Sequence, residues 1–206
     1  MMNKQQLHLF NKPSGRTAIL TASGFILDLE NPDATGLPVK DVARGLAYEP
    51  RWRGATKSFY SVAEHSVMVS QLVPEHLSYD ALWHDSLEFI TGDWPSPLKV
   101  FLGRDEINAK MLPLERAFER EFGFISHDPD IKIADNIAMA TELRDLLPPA
   151  WMDWGHLPEP DSERIQPVGP ERAFTLFMER YEEVKHLARP EVQQEVKQRS
   201  GSPGMR

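Results

Sequence analysis

At 206 residues, with 41% hydrophobic and 26% charged residues, the chain has the size and balance of one globular domain rather than a disordered segment. Its formal net charge of -8 argues against binding duplex nucleic acid, which needs a basic footprint to displace counterions. Cysteine is absent, which excludes disulfides, thiolate zinc sites and Cys nucleophiles, so any metal must rest on His, Asp and Glu. That donor set suits Mn, Co, Fe, Zn or Mg. The opening residues MMNKQQLHLF lack the basic start and apolar run of a secretion signal, and no segment reads as a membrane span. A cytoplasmic protein with no membrane partner is expected.

Residues 1–15 are polar and aperiodic and read as a flexible leader. The β-rich runs 16–22 and 25–29 flank Ser23-Gly24, which predicts a hairpin with a two-residue link. Asn31-Pro32-Asp33 turns the chain, and Pro38 opens a short helix through about Ala47. Ser61-Val62-Ala63-Glu64 is a capping box. The helix it starts runs to about Val73, with Val62, Val69, Leu72 and Val73 on an inward stripe, and Pro74 ends it. Another helix is predicted over Ser78 to Thr91, stopped by Gly92. Asp105 to Phe122 is amphipathic through Ile107, Met111, Leu114, Phe118 and Phe122, and Pro113 is expected to kink or divide it. Pro129 to Leu147 forms the next helix. After a Trp- and Pro-rich loop, Pro170 to Ala188 forms the last one. Residues 190–206 read as a disordered tail. The expected architecture is all-α, a helical bundle over 16–189 with a small N-terminal β-hairpin.

Ionisable residues fall within three of these predicted helices: His65, the pair His84-Asp85, and Asp135. Each has an ordinary reading alone, since a lone His in an apolar helix is usually a hydrogen-bonded core residue. Taken together they read differently. Asp135 interrupts the apolar run Ile131, Ile133, Ala134, Ile137, Ala138, and His84-Asp85 follows Ala81-Leu82-Trp83. Buried carboxylates need partners, and one divalent cation held between facing helices satisfies them all. Such a cation acidifies a water and polarises a phosphoryl oxygen.

The order His … His-Asp … Asp resembles the HD superfamily of metal-dependent phosphohydrolases. Glu64-His65-Ser66, His84-Asp85-Ser86-Leu87-Glu88 and Thr91-Gly92-Asp93-Trp94-Pro95-Ser96-Pro97-Leu98-Lys99 are similar to a narrower group within it. That group holds bacterial deoxynucleoside 5'-monophosphatases and bacteriophage deoxyadenylate hydrolases. The resemblance spans roughly residues 24–147. It implies an HD-domain fold in which His65, His84, Asp85 and Asp135 bind the metal, with Co, Mn or Zn favoured and Mg an alternative.

The resemblance further implies that Glu88, four residues after His84 and on its helix face, acts near the attacking water. Asp93 would contact the deoxyribose 3'-hydroxyl or a second metal; its ordinary role is to form the turn after Gly92. Arg51 and Trp52 match an Arg-aromatic pair placed over the substrate, the guanidinium gripping phosphate and the indole stacking on base or sugar. Lys99 and Lys132 are cationic candidates for phosphate, Lys132 sharing a helix face with Asp135. Ser23-Gly24 and Pro95 are candidates for shaping a base pocket. The chain departs from many relatives at Ala55, where they carry His or Gln in the loop Gly54-Ala55-Thr56. Thr141-Glu142-Leu143-Arg144-Asp145-Leu146 also matches the relatives and reads as a surface salt-bridge feature.

The resulting expectation is an enzyme that hydrolyses deoxynucleotide phosphate esters, deoxyadenylate favoured, in a bacterial cell or in a phage-infected host. Self-association is expected because such relatives are often dimers or larger. An alarmone hydrolase and a non-catalytic nucleotide sensor are the alternatives. The absence of Gly-Tyr-Pro after the His-Asp pair argues against cyclic-dinucleotide cleavage.

Overall fold

The structure, a computed structural model, describes residues 16–149 and 155–189. The sequence readings of a leader, of a tail and of Trp151 and Trp154 lie outside the described residues. What is described is mostly helical, with one small antiparallel hairpin. Strands β1 (Ala18–Leu20) and β2 (Ile26–Asp28) pair with Ala18 opposite Asp28 and Leu20 opposite Ile26. Their link is longer than the two residues expected. Thr21 N donates to Phe25 O at 2.9 Å, so Ala22, Ser23 and Gly24 form the loop, and Gly24 takes φ 86°. A three-residue loop ending in a left-handed glycine is a common hairpin solution. Ser23 Oγ (2.6 Å), Ser23 N (3.2 Å) and Thr21 Oγ1 all donate to Asp41 Oδ2, tying the turn to the first helix.

Helix α1 (Val39–Tyr48) begins after Pro38, as its fixed φ favours. Helix α2 (Val62–Leu72) starts with both halves of the capping box made: Ser61 Oγ accepts from Glu64 N, and the Glu64 carboxylate accepts from Ser61 N. The helix expected over Ser78–Thr91 is instead two, α3 (Ser78–Trp83) and α4 (Glu88–Thr91). Between them Ser86 N donates to Trp83 O and Glu88 N to Asp85 O, while the His84 ring bonds to Ala81 O. These tight turns displace the i to i+4 ladder, and they let His84, Asp85 and Glu88 face one point from a short stretch of chain.

Helix α5 (Ser96–Leu102), not foreseen, begins at Ser96-Pro97 and leads into α6 (Arg104–Phe122). Helix α6 is not divided at Pro113. Pro113 is solvent-exposed, so the carbonyl it leaves unpaired one turn earlier turns to water at little cost. Helices α7 (Pro129–Asp145, capped by Asp128) and α8 (Pro170–Val184) follow, the latter ending in a 3-10 turn at Lys185–Leu187.

Helix α2 is the axis of the bundle, packing against α1, α3, α7 and α8. On one side Trp83 is fully buried, stacked on Phe122 with centroids 4.2 Å apart and edge-on to Phe177. On the other, Val69, Val73, Leu77, Ala81, Ile131, Ala134 and Ala138 lock α7 against α2 and α3. That second cluster fixes the height of Asp135 relative to His65. Among the described residues, no helix is long and apolar enough to cross a membrane.

Candidate metal centre

His65, on the buried face of α2, is fully inaccessible; His84 lies just past the end of α3, and Asp135 stands on α7. One ligand atom from each of these three lies within 4.8 Å of the other two. Asp85 joins them: its Oδ2 is 3.5 Å from His65 Nε2 and 3.2 Å from His84 Nε2. Asp135 Oδ1 is 3.2 Å from His65 Nε2. All four residues singled out from the sequence as ligands therefore meet at one place.

The orientation of the two rings favours a cation. His65 Nδ1 bonds to Glu142 Oε1 at 2.7 Å and His84 Nδ1 to Ala81 O at 2.7 Å. An acceptor opposite each Nδ1 sets it as the protonated nitrogen and leaves the Nε2 lone pair for a ligand. Both Nε2 atoms are buried and neither makes a well-aligned hydrogen bond among the described residues; the same holds for Glu88 Oε2. Orphaned buried acceptors are rare in folded proteins. Two imidazole nitrogens and two carboxylates suit a borderline divalent ion.

No protein-family profile matches the chain. It is 34% identical over 176 residues to uncharacterized protein YfdR of Escherichia coli (strain K12), across 82% of this chain and 96% of YfdR. The chain belongs to the YfdR family. It is also 38% identical over 91 residues to uncharacterized protein RCAP_rcc00048 of Rhodobacter capsulatus, across 40% of this chain and 46% of that protein.

Around the cluster this YfdR-family chain arranges its charges in alternation. Arg51 is nearly buried, with Nη1 3.6 Å from both Asp85 Oδ2 and Asp93 Oδ1, and Nη2 3.3 Å from Glu142 Oε2. Its loop is pinned at both ends, where Arg51 N donates to Tyr60 O and Val62 N to Glu49 O. Trp52 N donates to Asp93 Oδ2 at 2.8 Å, and the Trp52 indole donates to Glu142 Oε2 at 2.7 Å. The Asp93 carboxylate thus anchors the Arg51–Trp52 loop, while its own amide donates to Glu49 Oε1 at 3.1 Å. Lys132 Nζ pairs with Asp135 Oδ2 at 2.7 Å from an exposed position at the rim. The side chain of Lys99, on α5, makes no ion pair or hydrogen bond among the described residues. The side chain of Ser23 is committed to Asp41, and Ala55 is exposed, its N–H donating to Trp52 O.

The electrostatics follow from this packing. Burial and Arg51 both oppose protonation of His65, but the Glu142 carboxylate and contact with Asp135 outweigh them and hold the imidazolium up to about 10. A cation at Nε2 must displace that proton, so metal affinity rises with pH. Burial pushes Asp85 up, yet His84, His65 and Arg51 hold it well below the usual carboxylate range. Glu88 moves the other way, raised first by burial and then by the charges of Asp85 and Asp93. Two carboxyl groups three positions apart are thus driven in opposite directions.

Glu142 is the residue that sequence reasoning misplaced. Read as part of a surface salt-bridge segment, it is fully buried and sits at the centre of the site. The salt-bridge part of that reading holds for its neighbours, since Arg144 and the nearly inaccessible Asp145 form an ion pair that Arg164 joins. The signal was present in the spacing: 131, 134, 138 and 142 fall on one stripe of α7.

Proposed function

We propose that this protein is a divalent-metal phosphohydrolase of the HD superfamily that cleaves phosphate esters of deoxynucleotides, deoxyadenylate preferred. The observation that carries this reading is the pair of buried Nε2 atoms, each fixed by a bond at Nδ1 and each turned toward Asp85 and Asp135. The chain order of these ligands, on α2, at the end of α3 and on α7, supports the HD resemblance. A cation held by His65, His84, Asp85 and Asp135 would supply Lewis acidity toward a phosphoryl oxygen and a more acidic water.

The protein's own groups supply the rest. Arg51, beside Asp85 and Asp93, presents a fixed charge that binds a phosphate oxygen and stabilises negative charge gathering on it. The Trp52 ring, half-buried beside it, offers a stacking surface for base or sugar. Glu88 Oε2 takes a proton from the attacking water and returns it to the leaving oxygen, a role suited to a carboxyl whose pKa is raised. Lys132, paired with Asp135, extends positive charge for further phosphates, and Lys99 on α5 is a second cationic candidate. A cleaved monophosphate gives nucleoside and phosphate; a cleaved triphosphate gives nucleoside and triphosphate.

The test is a screen of metal-loaded protein against mono-, di- and triphosphates of all four deoxynucleosides, with each product resolved. Chelation should abolish turnover and Co or Mn should restore it. Glu88→Gln should retain the metal and lose roughly two to four orders of magnitude in rate. Full turnover at zero metal content overturns the reading. Equal consumption of every base would overturn the deoxyadenylate preference and leave a broad 5'-nucleotidase.

A further inference from the structure

We propose that Glu142 is a positioning residue that joins the metal ligand His65 to the substrate loop Arg51–Trp52 through a single buried carboxylate. The inference rests on the metal reading above and deepens it. Glu142 lies seven residues after Asp135, two turns along α7 on the same face, and its side chain has no solvent exposure. One oxygen, Oε1, accepts from His65 Nδ1 at 2.7 Å. The other, Oε2, accepts from the Trp52 indole at 2.7 Å and from Arg51 Nη2 at 3.3 Å.

A carboxylate without water is costly unless its charge is matched and its lone pairs filled. Glu142 meets that condition with groups that all belong to the site, so its burial does not serve the hydrophobic core. Its two oxygens have separable effects. Oε1 holds the His65 ring with Nε2 facing Asp135 and Asp85 and makes that nitrogen a stronger donor to a cation. Oε2 holds the side chains of two consecutive residues, the second of which, Trp52, has a left-handed backbone at φ 56°. Loss of the carboxylate should therefore weaken metal binding and loosen the phosphate grip together, although Glu142 touches neither metal nor substrate.

Glu142→Gln keeps the volume but not the function. Its amide oxygen can accept from only part of this set, and its NH2 group opposes the donors it meets. Calorimetric titration with Zn2+ should show affinity about 10–100-fold lower than wild type, the usual effect of removing such a partner. Nitrogen NMR of zinc-loaded wild type should show His65 protonated at Nδ1, and Glu142→Gln should lose that tautomer preference. Asp145→Asn is the control: it removes a buried, ion-paired carboxylate three residues along the same helix, and should leave zinc affinity unchanged. Equal zinc affinity and the same tautomer in a folded Glu142→Gln overturn the proposal. Should that variant not fold, wild-type His65 protonated at Nε2 instead overturns it. Wild type that binds no zinc rejects the metal reading itself, a distinct result.

Discussion

Trp52 and Arg53 both hold φ 56°, a left-handed conformation that costs an L-residue about 1–2 kcal/mol. Two in succession need a reason, and their anchors supply one. Trp52 N is drawn to Asp93, its indole to Glu142, and Ala55 N closes on Trp52 O. The fold thus holds strain in the loop that presents Arg51, where ligand-gripping segments commonly carry it. Arg53 shares the strained backbone, but its side chain is exposed. Arg53→Gly should therefore stabilise the protein by about 0.5–1 kcal/mol, a rise of roughly 1–4 °C in Tm by calorimetry. A lower Tm would mean that the loop is relaxed in solution. At this scale the sequence is legible where chemistry is unusual: two His and two Asp set among apolar residues betray a shared partner. Glu142 is harder to read, because a Glu beside Arg144 and Asp145 looks solvated when composition is read before periodicity. Only its place on the stripe of Ile131, Ala134 and Ala138 points inward.

Helix starts are readable from Ser61, Pro129 and Pro170, because caps and prolines act locally. The break between α3 and α4 is not, since it depends on the His84 ring bonding to Ala81 O, a competition that no apolar pattern records. Close approach of elements is equally silent in sequence. A Cβ on Gly45 of α1 would lie 2.7 Å from Phe89 Cβ on α4, next to Glu88. Alanine normally favours a helix by about 1 kcal/mol over glycine, but overpacking against an atom that moves only with its backbone costs about 1–3 kcal/mol. Gly45→Ala should thus destabilise the fold in urea titrations and slow turnover by displacing Glu88; a gain in stability would show that α4 yields freely. The end of α7 makes a separate prediction. Arg144, and after it the Ile165 amide and Arg164, outweigh burial and hold Asp145 below the usual carboxylate range. A depressed folded pKa gives stability that is present above the unfolded value of about 3.9 and is lost as pH falls below it. Asp145→Asn should cost about 1.5–3 kcal/mol at pH 7, the scale of hydrogen bonds to a charge. The gap to wild type should narrow at pH 3, and a gap independent of pH would remove the ion pair from the account.

At the scale of the whole molecule, the ligands come from α2, the end of α3 and α7, segments joined otherwise by the small cluster around Val69, Ala81 and Ala134. A cation bound there cross-links them and binds the native state alone, because the unfolded chain does not bring these groups together. Linkage then sets the size of the effect: at one hundred times its dissociation constant the metal adds about 2.7 kcal/mol. For a chain of this length that is a rise of roughly 5–11 °C in Tm. An acidic protein of net charge -8 also attracts divalent ions to its surface without order, so a rise in Tm alone decides little. The site must be separated from the surface by mutation. His84→Ala and Asp135→Ala each leave the net charge within one unit of the original, so surface attraction is nearly unchanged. Each should abolish most of the metal-dependent rise, whereas Lys99→Ala, which removes a cation paired with none of the ligands, should retain it. Added salt offers an independent check, because screening weakens diffuse attraction far more than ligation by buried nitrogens. A rise that persists in His84→Ala and Asp135→Ala, and that fades with salt, would assign the ion to the acidic surface and withdraw the metal centre.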